Sequence, residues 1–226
     1  MITKKEKNTD QKVKAIVWDW NGTLLDDVHI CVDSINIMLG ARNLHQLDYE
    51  SYRDVFGFPV RAYYEKAGFN FLQEPFDVVA IQFIDIYREH LLNCNLFPEV
   101  MEVLNQILAL QLPQYILSAM EQQLLETSLT EKGIPQFFNF IAGTSDHYAD
   151  GKLGSAKRLQ QMIEAKPKEI LLVGDTIHDF EVAEEMGWQC MLIANGHQSE
   201  LRLEATGKPV LKSLAALPAL LNGHSI

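Results

Sequence analysis

The sequence predicts an α/β protein built on a doubly wound parallel sheet, with an α-helical segment inserted after the first strand. Three observations lead to this prediction. An apolar run rich in β-forming residues precedes Asp19, a helical pattern follows over residues 28–95, and helices and strands alternate from Pro98 onward. Such alternation is typical of βαβ units, whose parallel strands share one sheet.

The first strand ends at a carboxylate. Its apolar run lacks the polar alternation of a half-solvated strand, so both of its faces are expected to be buried. Asp19 then lies at the carboxyl end of a parallel strand, where open α/β sheets bind their ligands. Gly22 allows the backbone to approach a ligand, and N–H groups in such a turn can bind an anion. Phosphoryl chemistry is one interpretation; the alternative is that Asp19 and Asn21 cap the next helix.

Residues 28–95 are predicted to form a compact helical insert. Helix-breaking residues interrupt the pattern near 57–59 and again near 73–75. The chain is therefore expected to consist of a core domain, residues 1–27 and 96–226, and an inserted domain, residues 28–95.

After the insert, the predicted helices and strands alternate regularly. They are a helix over 99–110, a strand over 115–117, a helix over 122–132, a strand over 138–142, a helix over 152–165, a strand over 169–174, a helix over 179–186 and a strand over 189–194. The first strand belongs to the same sheet, which makes the helical segment an insertion.

Composition excludes several classes of protein. The 226 residues, 47% of them apolar and 22% charged, can bury a substantial globular core. The net charge of -11 would repel a phosphate backbone, which argues against a nucleic-acid partner. No apolar stretch approaches the roughly 20 residues that span a bilayer, and the first residues lack the apolar segment of a signal peptide. We therefore expect a cytoplasmic protein with no membrane partner.

The cysteines indicate neither a zinc site nor a disulfide framework. Cys31, Cys94 and Cys190 are far apart and odd in number, without a Cys-x-x-Cys pair. We expect reduced thiols, either in the core or on the surface.

Two polar residues lie next to predicted elements of the second half. Ser118 ends a strand, where its hydroxyl and adjacent N–H groups could bind phosphate oxygens. It could equally open a capping box with Glu121 at the start of the next helix. Lys152 precedes a helix, where its ammonium could neutralise a phosphate or could simply be solvated.

The strand over 169–174 ends in two acids, Asp175 and Asp179, four residues apart. With Asp19 alongside, three carboxylates would repel one another unless a cation lay between them. Mg²⁺ is the natural candidate, since it prefers hard oxygen ligands and bridges to phosphate. The alternative is that Thr176 and Asp179 form a helix cap.

Four motifs thus follow one another along almost the whole chain. They are Asp19-Trp-Asn21-Gly22-Thr23, Ser118, Lys152 and Gly174-Asp175-x-x-x-Asp179. In this order they resemble the four motifs of the haloacid dehalogenase superfamily, most closely its phosphoglycolate phosphatase and β-phosphoglucomutase branch. The resemblance implies a Rossmann-like core, a cap domain of the first, helical type over residues 28–95, and Mg²⁺-dependent phosphoryl transfer.

The resemblance also implies roles for individual residues. Asp19 is the expected nucleophile, which would form an aspartyl phosphate, and it is also an expected Mg²⁺ ligand. Asn21 would offer its backbone carbonyl to the metal and Asp175 its carboxylate, while Asp179 would bind or orient the metal's waters. His178 matches no motif and is expected at the surface.

Substrate binding is expected from Thr23, Ser118, Ala119 and Lys152. Of these, Ser118 and Lys152 would hold the transferring phosphoryl group, with Lys152 moderating its repulsion from the nucleophile. Selectivity is expected to lie in the cap domain, where Arg53 could meet an anionic tail of the substrate. The cap is expected to close about hinges near residues 26–28 and 95–98.

The first motif departs from the family pattern at Asn21. Phosphatases of this superfamily usually carry a second Asp there, which acts first as an acid and then as a base. An amide cannot give up a proton at neutral pH, so help worth about 10² to 10⁴ in rate is expected to be missing. We expect slow hydrolysis, a substrate with a good leaving group such as an acyl phosphate, or a proton supplied by another residue or by water.

The leading hypothesis is a phosphatase that acts on a small phosphorylated metabolite resembling phosphoglycolate or a sugar phosphate. A mutase is less favoured because it too needs proton transfer at Asn21, and a dehalogenase would leave Asp175 and Asp179 without a role. The alternative from another class is a catalytically weak phosphate-binding or regulatory protein. A monomer or a homodimer is expected.

Overall fold

The first half of the chain forms the central strand of the sheet and a helical insert in the computed structural model, which describes residues 12–91, 93–144 and 152–223. Strand β1 (Ala15–Trp18) is followed by the short strand β2 (Leu25–Asp26). The described elements of the insert are α1 (Val28–Ala41), α2 (Tyr49–Val55), α3 (Val60–Ala67) and α4 (Phe76–Leu91). The short strand β3 (Asn95–Leu96) then pairs antiparallel with β2, so the chain enters and leaves the insert side by side.

Helices and strands alternate in the second half, as the sequence predicts. In order they are α5 (Val100–Ala109), β4 (Gln114–Glu121), α6 (Gln122–Glu131), β5 (Phe140–Thr144), α7 (Leu153–Met162), β6 (Ile170–Gly174), α8 (Ile177–Met186), β7 (Gln189–Ile193), α9 (Glu200–Glu204), β8 (Val210–Leu211) and α10 (Leu217–Gly223). The last three elements lie beyond the segment for which the sequence pattern predicts structure.

The described strands other than β2 and β3 form one six-stranded sheet in the order β5-β4-β1-β6-β7-β8, and every pairing in it is parallel. At the centre, Ile16 of β1 lies opposite Gln114 of β4 and Leu171 of β6. The chain extends the sheet first on one side of β1 and then on the other. The predicted doubly wound parallel sheet is therefore confirmed, and its switch in direction occurs at β1, where ligands are expected to bind.

Both faces of this sheet are covered. Ile16 and Trp18 pack into one apolar cluster with α5 and α6, whereas Ala15 and Val17 pack into a second cluster with α7 and α8. Each of these four side chains is 0% exposed, which explains why the strand shows no polar alternation. Burial of each larger side chain contributes roughly 1.5–3 kcal/mol, so the strand that carries the site is firmly anchored.

The cysteines lie in the interior. Cys31, Cys94 and Cys190 are free and buried, which places them in the core and not on the surface. Within the described residues, no helix is both long enough and apolar enough to span a bilayer.

Candidate active site

Asp19 lies directly beyond the carboxyl end of β1, as the sequence predicts. Its backbone N–H donates to the Val173 carbonyl of β6 at 2.9 Å, so the sheet's hydrogen-bond pattern continues up to this residue. Asp19 is 4% exposed, and its Oδ1 lies 2.5 Å from Lys152 Nζ. Helix α1 begins only at Val28. The interpretation of Asp19 and Asn21 as residues that cap this helix is therefore wrong.

Two neighbouring strands deliver carboxylates to the same point. Oxygen atoms of Asp19, Asp175 and Asp179 lie within 4.8 Å of one another, and all three residues are buried. Thr23 Oγ1 donates to Asp175 Oδ1 at 3.1 Å and lies 3.4 Å from Asp19 Oδ2. Thr23 is itself 0% exposed. Thr23 therefore helps to hold the carboxylates in place and does not line the cavity described below, which differs from the predicted contact with substrate.

The carboxylates carry more negative charge than their surroundings neutralise. Burial raises the pKa of Asp19 well above its ordinary value, and repulsion from Asp179 and Asp175 adds to this despite the Lys152 ammonium. Burial likewise raises the pKa of Asp175, against the opposing charge of His197. For Asp179, burial is outweighed by the charge and hydrogen bond of Lys152, which lower its pKa. A divalent cation would relieve the remaining repulsion.

The donor set fits Mg²⁺, which takes hard oxygen ligands. Asp19 and Asp175 could hold the ion through their carboxylates, together with the backbone carbonyl of Asn21. The Asp179 oxygens are engaged by Lys152 and by its own helix, which suits that carboxylate to orienting water around an ion.

Asp179 is held from two sides. Helix α8 begins at Ile177, two residues earlier than predicted, because Thr176 and Asp179 form a reciprocal capping box. The backbone N–H and Oγ1 of Thr176 donate to Asp179 Oδ2 at 3.0 and 2.6 Å. Asp179 Oδ1 accepts from Lys152 Nζ at 2.5 Å. The capping interpretation is therefore confirmed, and it does not exclude Asp179 from the site.

Lys152 is buried and not solvated. Its Nζ lies 2.5 Å from Oδ1 of both Asp19 and Asp179. Burial alone would lower the pKa of Lys152, but the two carboxylates raise it above the ordinary value, so the ammonium stays charged. The Lys152 backbone N–H donates to His178 Nε2 at 3.1 Å, and the His178 ring lies 4.7 Å from that of Phe58. The expectation that His178 is a surface residue is wrong, because these contacts cover its ring.

Ser118 lies inside β4 and not at the start of a helix. The strand continues to Glu121, whose carboxylate caps α6 by accepting N–H groups of the first turn. The capping-box interpretation of Ser118 is therefore wrong. Its Oγ accepts from the Met120 N–H at 3.1 Å, and its side chain lines the cavity described next.

The site opens into a cavity of about 150 Å³ between the sheet and the insert. Five of the predicted site residues line it, namely Asp19, Asn21, Ser118, Ala119 and Lys152. Apolar side chains of the insert also line it, including Phe56, Phe58, Val60, Phe83 and Ile84. The structure thus brings the predicted nucleophile and the predicted phosphoryl-binding residues together in one cavity, which apolar side chains of the insert also line.

Arg53 does not line this cavity. Its guanidinium donates to the backbone carbonyls of Gly196 at 2.9 Å and Gln198 at 2.8 Å, and also to that of Ala194. The expectation that Arg53 meets an anionic tail of the substrate is therefore corrected. Because its donors face the loop that follows β7, Arg53 instead ties the insert to the core.

Two glycines allow loops to pack directly on Asp175. Gly22 has a φ of 70°, and a Cβ at Gly22 or at Gly196 would overlap the Asp175 carboxylate. His197, which follows Gly196, donates its backbone N–H to Asp175 Oδ2 at 2.6 Å. The close approach expected at Gly22 is thus made to Asp175, which it helps to position.

The side-chain amide of Asn21 is engaged in a buried network. Its Nδ2 lies 2.8 Å from both Asp27 Oδ2 and the Tyr87 hydroxyl. Asp27 also accepts from Tyr87 at 2.8 Å and lies 3.2 Å from His197 Nε2. His197 Nδ1 in turn lies 2.9 Å from the Tyr52 hydroxyl. An Asp in place of Asn21 would set two carboxylates against each other, which explains how the amide fits here.

Asp27 and His197 form a buried ion pair that the sequence analysis missed. Burial alone would lower the pKa of His197, but the charge and hydrogen bond of Asp27 raise it to about 9. Burial would raise the pKa of Asp27, but His197 and hydrogen bonds from its other neighbours lower it. His197 follows β7, so extending the strand-end argument to that strand could have found it. Asp27 carried no separate signal beyond its place beside the first motif.

We expect this ion pair to make the free energy of unfolding fall as pH rises. The folded-state pKa of His197, about 9, exceeds the ordinary 6.5, so the stabilisation is complete below about pH 6.5 and is lost as pH rises through about 9. The loss amounts to about 3 kcal/mol. Urea unfolding in EDTA at about pH 6 and about pH 9.5 measures it.

Two matched variants test this prediction. His197→Gln should lose most of the pH dependence. His29→Gln changes an exposed histidine of α1 and should retain the pH dependence. An equal loss of stability in wild type and His197→Gln would contradict the assignment of the pH dependence to this pair.

The chain is similar to known proteins over most of its length. The model of a family described as haloacid dehalogenase-like hydrolase matches residues 16–193. A phosphoglycolate phosphatase from Chromobacterium violaceum is 26% identical over 193 residues, which cover 82% of this chain and 86% of the relative. A phosphoglycolate phosphatase from Synechococcus elongatus is 24% identical over 201 residues, which cover 85% of this chain and 89% of the relative.

Solved structures share the fold. A haloacid dehalogenase-like family hydrolase from Streptococcus pneumoniae superposes with a TM-score of 0.76 at 21% identity, over 92% of this chain and 97% of that one. A predicted phosphoglycolate phosphatase from Haemophilus somnus superposes with a TM-score of 0.74 at 22% identity, over 93% of this chain and 98% of that one. At such identities the likeness extends to the fold alone.

Proposed function

Because the chain belongs to the haloacid dehalogenase-like hydrolase family, we propose that it is a Mg²⁺-dependent phosphatase that hydrolyses a small phosphorylated metabolite through an aspartyl phosphate on Asp19. One observation carries the proposal. The buried Asp19 carboxylate faces the cavity while Lys152 Nζ lies 2.5 Å away and also binds Asp179. The phosphoglycolate phosphatases among its relatives support a small phosphorylated substrate.

In the proposed first step, an Asp19 oxygen attacks phosphorus and the bond from phosphorus to the leaving oxygen breaks. Ser118 and the backbone at Ala119 hold the phosphoryl oxygens with Lys152, whose ammonium offsets their repulsion from the nucleophile. Water then hydrolyses the aspartyl phosphate and regenerates the Asp19 carboxylate. Bound Mg²⁺, held by Asp19, Asp175 and the Asn21 carbonyl, would neutralise charge on the phosphoryl group.

Asn21 limits both steps. Its side chain has no proton to give and its amide is already bound to Asp27 and Tyr87, so the leaving oxygen departs without an acid at this position. The water of the second step likewise lacks a base there. Each absence removes help worth about 10² to 10⁴ in rate. The same residue favours the second candidate function, a weakly catalytic phosphate-binding or regulatory protein.

The proposed domain division assigns residues 28–95 to a cap that closes over the site. The antiparallel pair of β2 and β3 brings the two ends of this segment together and overlaps the predicted hinges, which supports this division. Contacts of Arg53 with the loop after β7 would hold the closed form. The predicted cytoplasmic location and the predicted monomer or homodimer are part of this proposal.

Phosphate release from a substrate panel tests the function. Purified protein is given acetyl phosphate, sugar phosphates and phosphoglycolate, each with Mg²⁺ or with EDTA. We expect release with Mg²⁺ and a fall of at least about 10²-fold in EDTA, because the repelling carboxylates then lack their cation. Binding of a phosphate analogue without release from any substrate would favour the binding or regulatory protein instead.

A further inference from the structure

The part of the cavity that the insert forms is mostly apolar. Phe56, Phe58, Val60, Phe83 and Ile84 of the insert line it, and each is only partly buried. Among the described residues of the insert that line the cavity, none carries a formal charge. Apolar surface left open inside an active-site cavity favours a ligand whose own surface is apolar.

The charged side chains that line the cavity already have partners within the protein. Lys152 binds Asp19 and Asp179, and His197 pairs with Asp27. The Glu121 carboxylate caps α6, and as an acid in the cavity lining it would repel a carboxylate on the substrate.

Two arginines of the insert are also engaged elsewhere. Arg53 donates to backbone carbonyls after β7, and Arg61 lies over the rings of Phe71 and Phe76. A carboxylate on the leaving group, such as that of phosphoglycolate, would therefore be buried against aromatic rings without a free cationic partner among the described residues that line the cavity.

The chemistry at Asn21 restricts the leaving group in a second, independent way. Because Asn21 cannot protonate the departing oxygen, that oxygen must be a weak base. A phenolic oxygen, with a pKa of about 10, meets this condition far better than the oxygen of an aliphatic alcohol. The cavity volume of about 150 Å³ is enough for one aromatic ring.

We propose that the substrate is an aryl phosphate, a monoester in which phosphate is joined to an uncharged aromatic ring. The proposal rests on the phosphatase function and narrows its substrate class. The bond between Asp19 and phosphorus forms as the bond from phosphorus to the aryl oxygen breaks, and the aryloxide leaves with the electron pair. Water then releases inorganic phosphate from Asp19, and the proton it gives up balances the one that the aryloxide gains from solvent.

The test uses four substrates of the wild-type protein with Mg²⁺. Benzyl phosphate keeps the ring but has an alkoxide leaving group, so its kcat/KM, which reports the step that breaks the bond to the leaving oxygen, should be at least about 10²-fold below that of phenyl phosphate. Acetyl phosphate has a good leaving group without a ring, so its KM should be at least about tenfold higher. Phosphoglycolate should have a kcat/KM at least about tenfold below that of phenyl phosphate.

A matched pair of substitutions on α4 tests the apolar wall. Ile84 lines the cavity, whereas Ile81 on the same helix is 50% exposed. Ile84→Arg should lower kcat/KM for phenyl phosphate at least about tenfold and shift preference toward phosphoglycolate, while Ile81→Arg should change neither. Val60→Arg provides a second cavity variant if Ile84→Arg does not fold.

The outcomes separate the two proposals. Hydrolysis of acetyl phosphate together with a phosphoglycolate kcat/KM equal to or above that of phenyl phosphate would overturn the aryl phosphate inference and leave the phosphatase intact. Equal kcat/KM values for benzyl and phenyl phosphate would likewise overturn it. Hydrolysis of none of the four substrates would overturn both.

Discussion

Asp19→Asn should reduce Mg²⁺-dependent phosphate release by at least about 10³-fold, because an amide cannot serve as the nucleophile and no aspartyl phosphate can form. The substitution keeps the shape of the side chain. It also removes a buried carboxylate whose pKa is raised by burial and by neighbouring acids, so the fold should tolerate it. Initial rates with acetyl phosphate and with phenyl phosphate measure the effect.

The control for this prediction is Asp33→Asn, which makes the same chemical change at an exposed position of α1. Its rate should match that of wild type. An Asp19→Asn variant that is folded and keeps more than about a tenth of the wild-type rate would remove Asp19 from the nucleophile role.

Lys152→Met should lower both the rate and the stability. The variant loses the only cation that lies 2.5 Å from Asp19 and Asp179 among the described residues, and removal of such a phosphoryl-stabilising group costs about 10²- to 10³-fold in kcat. It also leaves buried carboxylates unpaired, which is expected to cost about 3 kcal/mol of the free energy of unfolding at neutral pH. Phosphate-release rates and urea unfolding measure the two effects.

The exposed Lys157 of α7 offers the matched control, Lys157→Met, which should change neither quantity. Added Mg²⁺ should restore part of the stability lost in Lys152→Met, because the ion compensates the same carboxylates. A Lys152→Met variant with wild-type kcat would show that the ammonium does not stabilise the phosphoryl group.

The convergence of the main site residues could be predicted from the sequence, because the carboxyl ends of neighbouring parallel strands lie at the same edge of a sheet. The strands that precede Asp19 and Asp175, and the strand that contains Ser118, are parallel neighbours, so their carboxyl ends meet at one edge of the sheet. Capping patterns were a weaker guide. The pattern at Thr176 does form a cap, whereas that at Ser118 does not, because β4 continues past it.

Contacts between loops that are distant in the sequence could not be predicted from the order of the strands. Nothing local to Arg53 indicated that backbone carbonyls after β7 would accept its hydrogen bonds. The pairing of Asp27 with His197 joins residues far apart in the chain, and it depends on how the insert packs on the core. The apolar side chains of the cavity were visible in the sequence as helical residues, but only the fold shows which of them line the same cavity as Asp19.

The most direct test of the account is to look for a phosphoryl group on Asp19 during turnover. Wild-type protein is mixed with Mg²⁺ and acetyl phosphate, quenched in acid and digested. The mass of the peptide that contains Asp19 is then measured by mass spectrometry. Because Asn21 supplies no base for the second step, the aspartyl phosphate should accumulate, so this peptide should gain the mass of one phosphoryl group. Release of phosphate at a steady rate with no phosphoryl group on Asp19 would contradict the mechanism.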